Sequence, residues 1–108
     1  MFIIINMKDK MPVPLLPKER RILERMGSQI ALARLRRNMP LTEMSMRTGL
    51  SRVTLYKIEA GDPSVAIGSY MKVLWILRLQ EDFLKIAYSD EYGKELLDHE
   101  ALQRRTRK

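Results

Sequence analysis

The chain has 108 residues, 45% of them hydrophobic, no cysteine and a formal net charge of +7. That length fits one domain with a modest core, and without cysteine neither a disulfide framework nor a thiolate metal site can form. No apolar run approaches the ~20 residues of a membrane span, and "MFIIINM" is too short for a secretory signal and lacks a basic leader, so a soluble, cytoplasmic protein without a membrane partner is expected. The charge is unevenly placed. Residues 17–61 carry ten Lys/Arg against four Asp/Glu, a net of +6, whereas residues 62–103 carry four against eight, a net of −4. A basic half beside an acidic half points to a polyanion on one side and a different partner on the other.

Residues 1–17 read as an extended arm and linker. Phe2, Ile3, Ile4 and Ile5 favour a strand, and Pro12, Pro14 and Pro17 favour extended chain over helix. Four residues cannot hold a strand alone; if ordered, it needs a twin from another subunit or a partner surface.

From residue 18 to 38 the pattern is helical, with Ile22, Met26, Ile30 and Ala33 on one apolar stripe and Gly27 as a soft point that divides the helix if it breaks. Pro40 suits the first turn of a short second helix over residues 41–48, with Met44 inward and Gly49 as a left-handed stop. Ser51 then caps a third helix over residues 52–60, closed by Gly61. Asp62, Pro63 and Ser64 make a loop. Further helices are expected over residues 67–77, 80–87 and 90–99. On the fourth, Ile67, Tyr70, Met71, Leu74 and Leu77 make one face, with Val73, Trp75 and Ile76 on other sides.

Two short helices joined through Gly49, Leu50 and Ser51 in a basic bundle have the form of a helix-turn-helix. The joint needs a positive φ, which glycine supplies, and Met44, Leu50, Leu55 and Ile58 supply inward aliphatics. The second of the two helices then shows its N-terminal polar residues to a DNA major groove. Arg52 and Lys57 are the candidates for base edges, and Val53 for a thymine methyl. Ser51, Thr54 and Tyr56 suit phosphate or sugar, as do Arg36, Arg37 and Arg47, each of which is otherwise ordinary solvated surface.

"GSQIALARLRRNMPLTEMSMRTGLSRVTLYKIEAGDPSVAIGSYMKVLWIL" resembles the Xre/Cro-type helix-turn-helix domain, most specifically in "GLSRVTLYKIEAG". The resemblance implies an all-α, lambda-repressor-like fold: a compact bundle of about five helices over residues 18–88, preceded by a short extended arm. A C-terminal extension over residues 89–108 adds an acidic helix and a basic tail. The resemblance also implies an ion pair between Arg34 and Glu59, linking the first and third helices. Two positions depart from the pattern: Pro40-Leu41 stands where a small cap and a glutamine are usual, and Ala66 where a Ser or Thr caps helix four. Trp75 occupies a usually polar position, so Trp75, Ile76 and Val73 are the candidate dimer or partner surface.

"GDPSVAIGSYMKVLWILRLQEDFLKIA", "SDEYGKELLD" and "RRTRK" together resemble the HipB-like antitoxins encoded beside HipA-type kinase toxins. That resemblance implies a homodimeric repressor that binds a palindromic operator in its own promoter and also binds a HipA-type Ser/Thr kinase. A stand-alone Xre-type transcription factor shares the same core, and an interaction adaptor that keeps the fold without reading DNA stays open through residues 40–41. No catalytic set is expected. His99 is the one histidine, and the adjacent pairs Glu81-Asp82 and Asp90-Glu91 sit at helix starts, where they offset the dipole but do not face each other. No phosphate-binding glycine loop or metal-ligand spacing occurs, so neither a cofactor nor a metal is expected.

Overall fold

The computed structural model describes residues 13–106. The strand expectation at Phe2–Ile5, the arm over residues 1–12 and the last two residues of the basic tail lie outside the described residues. Within them the order is α1 (Pro17–Arg36), α2 (Leu41–Thr48), α3 (Arg52–Glu59), α4 (Ile67–Leu77), a 3-10 helix (Gln80–Lys85) and α5 (Glu91–Thr106), with no strand among the described residues.

α1 opens at Pro17 rather than one residue later. A proline costs nothing there, because the first N–H of a helix has no partner to lose, and Glu19 Oε1 accepts from the Leu16 N–H at 2.8 Å. Gly27 does not divide the helix, which is continuous for 20 residues. It is the point where α1 crosses the end of α3: a Cβ at this position would lie 2.5 Å from Gly61 N and 2.6 Å from Glu59 O. Of the expected stripe, Ile30 and Ala33 are buried and Met26 packs on the core. Ile22 is 68% exposed, because α1 runs past the core at its N-terminal end.

The core is built from Ile30 and Ala33 of α1, Met39 and Met44, Leu55 and Ile58 of α3, and Tyr70, Val73, Leu74 and Leu77 of α4. The last four stand at i, i+3, i+4 and i+7, a single helical face. That corrects the reading of α4. Val73, expected on the partner surface, is only 2% exposed and belongs to the core, whereas Ile67 and Met71, expected in the core face, are exposed. α4 ends on Arg78, which adopts φ 63° while Leu79 N–H reaches back to Leu74 O at 2.8 Å.

Residues 80–87 were expected to add a helix, and Gln80–Lys85 instead winds as a 3-10 turn. Ile86 breaks it in an extended conformation, and Ala87 follows at φ 60°. α5 is longer than the expected residues 90–99, reaching Thr106. Asp90 Oδ1 accepts from Gly93 N–H at 3.0 Å at its start, and Arg104 pairs with Glu100 one turn apart at 2.9 Å, so the helix has no stop signal at His99.

Candidate nucleic-acid interface

The α2–α3 joint is held by more than its glycine. Gly49 adopts φ 78° and its N–H reaches Ser45 O. Ser45 Oγ donates to Leu50 O at 2.6 Å. Thr48 Oγ1 donates to Met44 O at 2.7 Å and accepts from Leu50 N–H at 3.1 Å. Two side chains from the last turn of α2 thereby clamp the turn, a role that the Ser45 and Thr48 spacing signals through back-bonding hydroxyls.

α3 is closed at both ends. Ser51 Oγ accepts from Thr54 N–H at 3.1 Å and donates to Thr54 Oγ1 at 3.0 Å, leaving the Thr54 hydroxyl proton free for an outside acceptor. At the other end Gly61, at φ 71°, gives its N–H to Ile58 O while Asp62 N–H reaches Lys57 O at 2.9 Å. This paired return is a Schellman closure.

With Leu55 and Ile58 buried, helical periodicity puts Val53 and Lys57 directly opposite the core, one turn apart. Arg52 and Tyr56 lie along the neighbouring edge, which continues to Glu59. Val53 is 62% and Tyr56 58% exposed, and both Arg52 and Lys57 are exposed. Neither cation is within salt-bridge distance of a carboxylate among the described residues. α3 thus displays two free cations around an apolar Val53, the combination that suits base edges and a thymine methyl.

Arg34 fixes where this helix sits. Its Nε lies 2.6 Å from Glu59 Oε2, a second guanidinium nitrogen 3.1 Å from Oε1 and the third 2.9 Å from Met39 O. One side chain therefore ties α1 to the last turn of α3 and to the α1–α2 connection. Hydrogen bonding to Glu59 raises the Arg34 pKa above its already high ordinary value, so the pair stays charged over any working pH.

The remaining cations are differently engaged. Arg37 donates to Ala33 O at 2.8 Å and thus folds back on the end of α1. Arg47 pairs with Glu43 at 3.3 Å on the exposed side of α2, and a phosphate would have to compete with that carboxylate. Arg36 is exposed. Pro40 and Ala66 occupy the N-cap positions of α2 and α4 without a side-chain cap. The loop after α3 is ordered from within: Asp62 Oδ1 accepts from Ser64 N–H at 2.8 Å, and Tyr70 Oη donates to Asp62 O at 2.8 Å. Hydrogen bonds from the Ser64 side chain and backbone, and then the charges of Lys57 and Arg20, hold the Asp62 carboxyl below the usual carboxylate range. Burial raises the Tyr70 phenol.

On α4, Trp75 is 63% exposed and Ile76 half-buried against the core; with Val73 in the interior, the partner surface reduces to Trp75 and its exposed neighbours. His99 lies 3.0 Å from Gln103 on exposed α5. Among the described residues no three His, Cys, Asp or Glu side chains gather in a way that could hold a metal, and no helix is long and apolar enough to cross a membrane. Comparison with protein-family models, curated proteins and solved structures gives no match.

Proposed function

We propose that the chain is a DNA-binding regulator of the helix-turn-helix class, a binding protein rather than an enzyme, with α3 as its major-groove element. The observation that carries this reading is α3 itself. An eight-residue helix is locked at both ends and pinned by Arg34, and the face it leaves outward is Arg52, Val53 and Lys57. Charges held this way gain nothing inside the fold; they suit a rigid polyanion whose base edges are read in fixed register. Ser51, Thr54, Tyr56, Arg36, Arg37 and Arg47 then supply phosphate contacts, and the net +6 of residues 17–61 supplies the counterion-release attraction.

Within that class, the chain is a HipB-like antitoxin that represses its own operon as a homodimer and binds a HipA-type Ser/Thr kinase. The acidic stretch over residues 62–103 and the uncovered α5 favour a protein partner in addition to DNA. A stand-alone Xre-type regulator lacks only that partner. Fluorescence anisotropy on the DNA upstream of the gene tests the first step: Arg52→Ala is expected to weaken binding by about 1–3 kcal/mol and relax one base position. Equal affinity of wild type and Arg52→Ala for that DNA removes direct readout by α3. Co-purification with the product of the neighbouring gene tests the second.

A further inference from the structure

An open apolar groove of about 270 Å³ runs between α1, α4 and the 3-10 helix, lined by Met26, Ile30, Tyr70, Leu74, Phe83 and Ile86. Its volume falls below the ~300 Å³ floor of small-ligand pockets, and it suits inserted side chains instead. Its two rims differ. Met71 and Trp75 follow Tyr70 and Leu74 one residue round α4, so one rim continues as exposed apolar surface. Lys18, Arg21 and Arg25 follow one another along α1 beside Met26 and Gln29, so the other rim is cationic.

The same chain carries a helix with the complementary pattern. α5 places Tyr92, Leu96, Leu97 and Ala101 on one broad face, with Glu91 and Glu95 along one edge of it. Tyr92, Leu96 and Leu97 are all exposed, at 52% or more. α5 cannot reach its own groove as oriented: the left-handed Ala87 and the Asp90 cap set its exit from the body.

We infer that the groove receives α5 of a second copy of this chain, with Tyr92 and Leu96 inserted and the Glu91/Glu95 edge against the Lys18, Arg21 and Arg25 rim. The apolar edge, Leu97 and Ala101, then lies toward Met71 and Trp75. Only one orientation satisfies both rims, and reciprocal exchange closes as a two-fold dimer in which each contact is made twice. This association is independent of DNA reading and adds to α4 an occupant for the surface around Trp75.

The absence of cysteine permits a direct test with the full chain and no DNA. Gln29→Cys chains are mixed with Leu96→Cys chains under mild oxidation, with Arg47→Cys chains, whose cysteine lies away from the groove, as control. Docking in trans raises the effective concentration of the pair, so the 29–96 heterodimer is expected to form on the order of tenfold faster than 47–96. Adding Ile86→Asp, at an exposed groove position, is expected to abolish that advantage while leaving the circular-dichroism melt intact. A cross-linked monomer from the Gln29→Cys/Leu96→Cys double variant, with no heterodimer on mixing, overturns exchange in favour of fold-back. Equal rates for 29–96 and 47–96 overturn docking altogether. Neither result bears on α3, so failure here is distinct from failure of the DNA reading.

Discussion

Arg34→Ala is the perturbation whose magnitude the structure best defines. Arg34 and Glu59 side chains are 11% and 16% exposed, so they form a largely enclosed pair rather than a surface one. Removing one partner of a fully buried pair costs about 3–5 kcal/mol, because the other charge is left unpaired. Residual solvent access at both groups lowers that to about 2–3 kcal/mol, and the Met39 carbonyl, which loses its donor, keeps the value from falling further. Against a total stability of roughly 5–15 kcal/mol, and at about 4–8 °C per kcal/mol for a domain of this size, the melting temperature is expected to fall by roughly 10–20 °C. Thermal and urea melts followed by circular dichroism measure it. Arg34→Met/Glu59→Leu, which removes both charges, is expected to recover part of the loss, since no orphaned carboxylate remains. A loss under about 0.5 kcal/mol for Arg34→Ala, or strict additivity in the double variant, refutes the role given to the pair.

Gly27→Ala is expected to destabilise by about 1–3 kcal/mol, although alanine is the better helix former by about 1 kcal/mol, because the new Cβ meets the Gly61 and Glu59 backbone; a urea melt showing stabilisation contradicts the close crossing. Ser51→Ala removes the cap of α3 and is expected to cost about 1 kcal/mol, read from the same melts, with Ser51→Gly losing only a few tenths. Asp62 contributes a pH-dependent part. Its folded pKa lies below the unfolded one, so its stabilisation is present above the ordinary carboxylate range, near pH 4, and is lost as pH falls through the folded pKa. The stability difference between wild type and Asp62→Asn is therefore expected to shrink from pH 7 to pH 3, and a gap that widens on acidification reverses the sign and refutes it.

The middle of the fold was legible because its signals are local. Gly49, Ser51 and Gly61 each act within a turn of their own position, so α2 and α3 were bounded correctly, and the outward set on α3 follows once Leu55 and Ile58 are placed inside. What the sequence concealed depends on neighbours distant along the chain. Ile22 continues the stripe of Ile30 and Ala33, but periodicity cannot tell where the core ends and leaves that side chain uncovered. Val73 looked peripheral because α4 is apolar nearly all round, and only the directions of α1 and α2 select Tyr70, Val73, Leu74 and Leu77 as the buried face. Gly27 looked like a weak point in a helix, whereas its meaning lies 34 residues away at Gly61. Ser45 and Thr48 carry the clamp on the α2–α3 turn through hydrogen bonds that a binary pattern of apolar and polar residues does not register.

The most direct measurement is the affinity of the full chain for the DNA upstream of its gene against a scrambled duplex of equal length and composition, titrated over a range of salt. The α3 face is expected to give a preference on the order of 10³ or more for the upstream duplex at physiological salt, with affinity for both duplexes falling steeply as salt rises. Equal affinity for the two duplexes at every salt concentration contradicts sequence reading by Arg52, Val53 and Lys57 and leaves α3 as a cationic surface only.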